Sequence, residues 1–179
     1  RPELYARLRI HFVGSSNQRA SDAPPRAMPI ARQAGIEDIV SEMPGRVEYL
    51  EALATMSQAG AILAMGSSEP HYTASRIYPA LLARRPVLAL YHAMSSVVDA
   101  LRRTARPPSV RLVTFDERCP AAARTEAIAA ELAAMIEDPV YAEGAIDAAA
   151  LDRFSARAMA GRLAGVLDRA KESGPWASA

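Results

Sequence analysis

The sequence predicts an α/β fold built on a Rossmann-like parallel sheet with flanking helices, and three observations carry that expectation. Short β-rich runs alternate with longer stretches of helical periodicity, the order in which crossover helices join parallel strands. One run, Ala61-Ile62-Leu63-Ala64-Met65, is apolar throughout, as in a central strand covered on both faces. The 179 residues are 50% hydrophobic, 23% charged and 6% aromatic, enough for one packed core, which excludes disorder, collagen and a disulfide-held miniprotein.

Taken in order, Leu8-Arg9-Ile10-His11-Phe12-Val13 alternates apolar and polar positions and stops at Gly14, so it reads as a first strand. His11 inside it reads as a packed core imidazole. A polar loop from Ser15 to Met28 feeds a short helix that Pro29 opens and Gly35 caps. Ile36 to Val40 is a second strand candidate. Arg46 to Ala59 places Val47, Leu50, Leu53, Ala54 and Ser57 on one helical face before a stop at Gly60. After the apolar strand, a helix over 74–84 precedes the strand Pro86-Val87-Leu88-Ala89-Leu90-Tyr91, whose proline stands where no ladder donor is lost. Met94, Val97, Val98 and Leu101 keep the spacing of an amphipathic helix. Val110 to Phe115 is the last strand, followed by a helix that Pro120 opens and that turns Ile128, Leu132, Met135 and Ile136 inward. A final helix carries Leu151, Phe154, Ala158, Leu163, Val166 and Leu167. Residues 1–171 form a single domain in this reading, with 172–179, including Pro175-Trp176, as a loose tail.

Charge excludes some partners. Lys plus Arg (21) almost cancels Asp plus Glu (20), so the whole-molecule field does not favour nucleic acid. Lys171 is the only lysine and alanine is abundant, which points to biased codon usage and lowers the weight of any single arginine. No run approaches the roughly 18 apolar residues of a membrane span, and the first residues lack a signal-peptide core, so a soluble cytoplasmic domain is expected. Cys119 is alone, and His11, His71 and His92 stand far apart, which leaves neither a disulfide nor a structural zinc site.

In a parallel sheet the segments that follow the strands gather on one rim, where open α/β sheets bind ligands. Here they are Gly14-Ser15-Ser16-Asn17, Gly66-Ser67-Ser68-Glu69-Pro70-His71-Tyr72-Thr73 and His92-Ala93-Met94-Ser95-Ser96. Small hydroxyl residues beside helix starts suit a phosphate, although single serines are also ordinary caps. Neither a dinucleotide fingerprint, a Walker-type phosphate loop nor a hydrolase nucleophile elbow is present. His71 and His92 lie on the rim; Asp116 and Glu117, after the last strand, read as helix-start charges.

The run from Gly66 to Pro79, with Arg76-Ile77-Tyr78-Pro79 at its end, followed by Leu82-Ala83-Arg84-Arg85-Pro86-Val87-Leu88-Ala89, resembles the C-terminal, donor-binding domain of GT-B glycosyltransferases. In that family an apolar strand ending near small residues and a glutamate leads through a helix to a Pro-Val strand. Arg46-Val47-Glu48-Tyr49-Leu50-Glu51-Ala52-Leu53 is similar to the helix before it, and Phe154-Ser155-Ala156-Arg157 to the start of its C-terminal helix.

The resemblance implies a domain that holds a nucleoside-diphosphate sugar as donor substrate, with no separate cofactor. The diphosphate would lie near Thr73, Ala74 and Ser75, with Arg76 neutralising it; Ser67 and Tyr72 belong to the same binding segment. Glu69 matches the acid that meets donor-sugar hydroxyls, the assigned catalytic group, and Gly14 and Ser15 match a loop lining the same cleft. Transfer in this family is metal-independent, so no metal residue is implied. Ile77 stands where many relatives carry a second, ribose-holding glutamate. The family also has an N-terminal domain for the acceptor and one earlier strand in this domain; neither is found in this chain, which implies a fragment, inactive alone, with a gap or an unpaired edge in its sheet. Two other readings stay open: a nucleotide-sugar epimerase using Glu69, His71 and His92 as acid and base, and a non-catalytic α/β interaction module in which the rim serines are only caps.

Overall fold

A computed structural model describes residues 1–16 and 23–173. Asn17 of the first rim segment and Pro175-Trp176 of the expected tail lie outside the described residues. In chain order the elements are α1 (Pro2–Tyr5), β1 (Ile10–Val13), α2 (Ala27–Gln33), β2 (Val40–Met43), α3 (Tyr49–Gln58), β3 (Ile62–Met65), α4 (Ile77–Leu82), β4 (Val87–His92), α5 (Ser96–Thr104) and β5 (Val110–Phe115). A 3-10 turn (Ala121–Arg124), α6 (Thr125–Glu137), α7 (Ala148–Asp152) and α8 (Ala156–Ser173) follow. All pairing between these strands is parallel, so the fold is α/β with helices flanking parallel sheets, compatible with a Rossmann-like architecture.

The strands form two sheets, β1-β2 and β3-β4-β5. Ile10 to Val13 pair in register with Val40 to Met43, and β4 lies between β3 and β5. No strand among the described residues joins β1 to β3, so each sheet keeps an open edge. The main core lies on one face of the larger sheet. There Val87, Ala89 and Tyr91 meet Ile77, Ala80 and Leu81 of α4 and Val97, Val98 and Leu101 of α5. On the other face Leu88 and Val113 pack under Met135 of α6, with Ile128 and Leu132 partly buried beside them. A third, small core of Ala31, Ile39 and Val40 holds α2 against the two-stranded sheet. The N-terminal turn ties this part to its surroundings: the Tyr5 hydroxyl donates to Asp38 at 2.5 Å, and Arg1 pairs with Glu137.

Several expectations are corrected. The apolar run at β3 is an edge strand of its sheet, not a central one: α6 covers β4 and β5 but stops short of β3, leaving Leu63 39% and Met65 50% exposed. The second strand is Val40–Met43 rather than 36–40, because Gly35 takes φ +68° and Ile36 turns back to the Ala31 carbonyl, closing α2 before the chain extends. His11 is exposed, with Nδ1 2.6 Å from the Ser41 hydroxyl across the strand pair. On α3 the inward side chain is Met56, while Leu50 is 75% exposed and Ala54 and Ser57 face solvent. Met94 precedes α5 and is exposed. The final helix is broken into α7 and α8 at Arg153-Phe154-Ser155, where the Ser155 hydroxyl accepts the Ala158 amide; only its first part is buried, and Leu163, Val166 and Leu167 are exposed.

Candidate functional site

The parallel direction of β3 and β4 brings the segments after them together at one end of the larger sheet. Gly66 leaves β3 directly against Tyr91 of β4. A Cβ at Gly66 would stand 2.5 Å from Tyr91 Cδ1, so only glycine lets the chain turn across that ring. Tyr91 is 2% exposed, and burial pushes its phenol up to about 12, an effect that nearby Tyr72 reinforces and Arg76 opposes. Next, the Ser67 hydroxyl accepts the Glu69 amide at 3.2 Å, which turns the Glu69 side chain out to solvent.

The 72–76 segment docks on the start of α5 through two hydroxyl contacts. Ser95, the buried cap of that helix, donates its hydroxyl to the Tyr72 carbonyl at 2.7 Å while accepting the Val97 amide. Thr73 Oγ1 lies 2.7 Å from Ser96 Oγ. These contacts unite two of the three rim segments. The helix expected over 74–84 starts at Ile77 instead, because the Ala74 and Ser75 carbonyls accept the Ile77 and Tyr78 amides in a preceding turn, and Ala74 is buried. One consequence is chemical: the amides of Thr73, Ala74, Ser75 and Arg76 donate to no protein acceptor. The Arg76 guanidinium and the Glu69 carboxylate likewise make no ion pair or side-chain hydrogen bond. The turn therefore carries four successive N–H groups without a protein acceptor and the unpaired Arg76, with Ala74 buried beneath it and the Thr73 hydroxyl bonded across to Ser96 of α5.

His92 is placed for structure. Its Nδ1 accepts the Met94 amide at 3.2 Å, which puts the ring proton on Nε2, 3.2 Å from Glu117; the ring also meets Phe115 edge-on at 5.7 Å. With both nitrogens taken and the side chain buried, it has no free lone pair to act as a base. Asp116 is held below the usual carboxylate range because its carboxylate accepts the Cys119 and Arg118 amides, the first being the larger cause. It closes a turn. His71 is exposed and beside the rim turn.

Gly14 and Ser15 end β1 in the other sheet, and no hydrogen bond joins them to the 66–76 segment. Gly14 takes φ +67° and donates its amide to the Met43 carbonyl. The Ser15 hydroxyl donates at 2.6 Å to Glu42, whose carboxylate also accepts the amides of Arg26, Ala27 and Met28 at 2.8–2.9 Å. The start of α2 is thus filled by a carboxylate of the chain itself. Reading by strands and rims missed both Glu42 and Tyr91. Glu42 sits inside a strand, and its signal is only an acid facing a serine and a helix start that lie far off in sequence. Tyr91 is announced by nothing local except a glycine at the end of the neighbouring strand.

Among the described residues, no group of histidine, cysteine, aspartate and glutamate stands together to hold a metal ion, and no helix is long and apolar enough to cross a membrane. No family model, curated protein or solved structure matches the chain.

Proposed function

We propose that this chain is the nucleotide-sugar-binding domain of a GT-B glycosyltransferase, which transfers a sugar from a nucleoside-diphosphate donor to an acceptor bound by another domain. The observation that carries the reading is the 73–76 turn, whose four unused amides, the Thr73 and Ser96 hydroxyls and the free Arg76 make an anion cradle of the kind that takes a diphosphate. Stabilising the leaving diphosphate with fixed dipoles and one cation needs no metal. Glu69, free at the mouth of the same turn, is positioned to accept hydrogen bonds from sugar hydroxyls, and Tyr72, 43% exposed, offers a ring edge for the nucleoside. The two separate sheets support the resemblance as well, since the family's first strand belongs between their open edges. Epimerase chemistry draws no support from His92, whose nitrogens are both engaged.

Calorimetric titration with UDP, GDP, ADP and inorganic diphosphate tests this. The expected outcome is saturable binding of one nucleoside diphosphate, weakened at least about tenfold by Arg76→Ala, which removes one charge-assisted contact. Ser75→Ala removes a hydroxyl beside the cradle and is expected to weaken it less. A folded protein that binds none of the four refutes the donor-site reading and leaves an interaction module.

A further inference from the structure

The far edge of the larger sheet is open as well, and it is furnished differently from the rim. β5 pairs only with β4 among the described strands. In a parallel pair, alternate residues of a strand turn their backbone groups to each side. The carbonyls of Ser109 and Phe115 accept the amides of Val87 and Ala93, so residues 109, 111, 113 and 115 face β4, while 110, 112 and 114 face outward. The Val110 amide is taken by the Arg106 carbonyl. Leu112 and Thr114 remain, with outward N–H and C=O groups that no strand meets.

Beside these groups lies a cleft of about 310 Å³ whose far wall is α6, contributing Arg124, Ala127, Ala130 and Glu131. Arg124 Nε is buried without a hydrogen-bond partner. Its charge is felt by Asp116, but that carboxylate already holds two amides. Glu131 bonds Arg111 at 2.8 Å through one oxygen and keeps the other. Since Glu131 reaches Arg111 near the start of β5 while Arg124 lies beside Thr114 near its end, α6 runs back along the strand. The cleft therefore carries an unpaired cation at one end and, at the other, a carboxylate oxygen that Arg111 does not take.

We propose that this edge is the two-fold interface of a homodimer, in which β5 pairs antiparallel with β5 of a second copy about Val113. With Val113 on the axis, Leu112 of each copy stands opposite Thr114 of the other. The outward N–H and C=O groups then match in two exchanged pairs. The same axis brings Arg124 of each copy to the end where the partner copy's Glu131 stands. That is why a second copy is the occupant favoured over an unrelated strand: it brings the Glu131 oxygen left by Arg111 to the unpaired Arg124 at both ends at once. Ala127 and Ala130 leave room for the two α6 helices to approach, and the joined six-stranded sheet has no open β5 edge.

Sedimentation velocity across a concentration series reads the result. The wild-type chain is expected to reach twice the monomer mass. Thr114→Pro removes an amide that bonds nothing within the chain, at an edge position that tolerates proline, and is expected to give a folded monomer whose unfolding midpoint, unlike that of the wild-type dimer, does not change with protein concentration. Arg124→Glu should raise the dimer Kd at least about tenfold by placing two acids together, and combining it with Glu131→Arg should restore it. A wild-type chain that stays monomeric throughout overturns the proposal, as does a dimer that Thr114→Pro and Arg124→Glu leave intact. A monomer that instead takes up an extended peptide at this edge also overturns it, in favour of a foreign strand.

Discussion

Gly66→Ala is expected to destabilise the protein by about 1–3 kcal/mol, the usual range for forcing extra atoms into a packed site. For a chain of this length that lowers the melting midpoint by roughly 2–12 °C. The added Cβ would meet the Tyr91 ring at 2.5 Å, far inside van der Waals contact, and Tyr91 is held on β4 between α4 and α5 with no room to retreat. Relief must come from the 66–68 turn lifting away from the sheet. That movement reaches the proposed cradle, because Glu69 is oriented by Ser67 and the 72–76 segment follows five residues on. Diphosphate affinity should therefore fall along with stability. A double-mutant cycle with Tyr91→Ala isolates the cause: in the cavity that variant leaves, Gly66→Ala should lose most of its effect in urea unfolding. An equal loss of stability in both backgrounds would show that Gly66 matters for backbone freedom and not for its contact with the ring.

The order of elements was legible because each strand is marked by composition over a short window. Val110 to Phe115 matches its expected bounds, and β4 differs from its own by one residue at each end, since Pro86 and the Pro107-Pro108 pair fix where these strands begin. What failed was burial. An apolar run such as Ala61 to Met65 tells that a strand is hydrophobic on both faces, not that this chain supplies the covering for both; α6 reaches only two of the three strands, and Leu63 and Met65 are left open. The stripe on α8 fails for the same reason. Its periodicity is real, but nothing among the described residues packs on Leu163 or Leu167. For the candidate site, the hydroxyl-rich segments after β3 and β4 were readable as one rim, and the Thr73–Ser96 and Ser95–Tyr72 contacts do bring them together. The free amides at 73–76 were not readable, because they depend on α4 starting at Ile77 after a turn. A sequence pattern places a helix within a few residues, whereas this feature turns on three.

Glu42→Ala should be the second large effect, and its dependence on pH separates it from simple loss of packing. Burial pulls the Glu42 pKa upward, but the Ser15 hydroxyl and the amides of Arg26, Met28 and Ala27 outweigh it and lower the value from 4.5 to about 2. A carboxyl group whose pKa is lower in the folded state binds its proton more readily when unfolded. Its contribution is therefore full above the unfolded value near 4.5, and it drains away as the pH falls from about 5 toward 2. Removing the side chain strips the start of α2 of its cap and leaves the Ser15 hydroxyl without an acceptor, for a loss of about 1–2 kcal/mol at neutral pH. Glu42→Gln keeps an acceptor oxygen but forfeits the charge, so it should recover part of that loss and lack the Glu42 share of the pH dependence, while Asp116 and other carboxylates keep theirs. Urea unfolding at pH 7, 4 and 3 checks both, with the gap between wild type and Glu42→Gln expected to narrow as the pH falls. If the gap instead stays constant down to pH 3, Glu42 acts through shape alone.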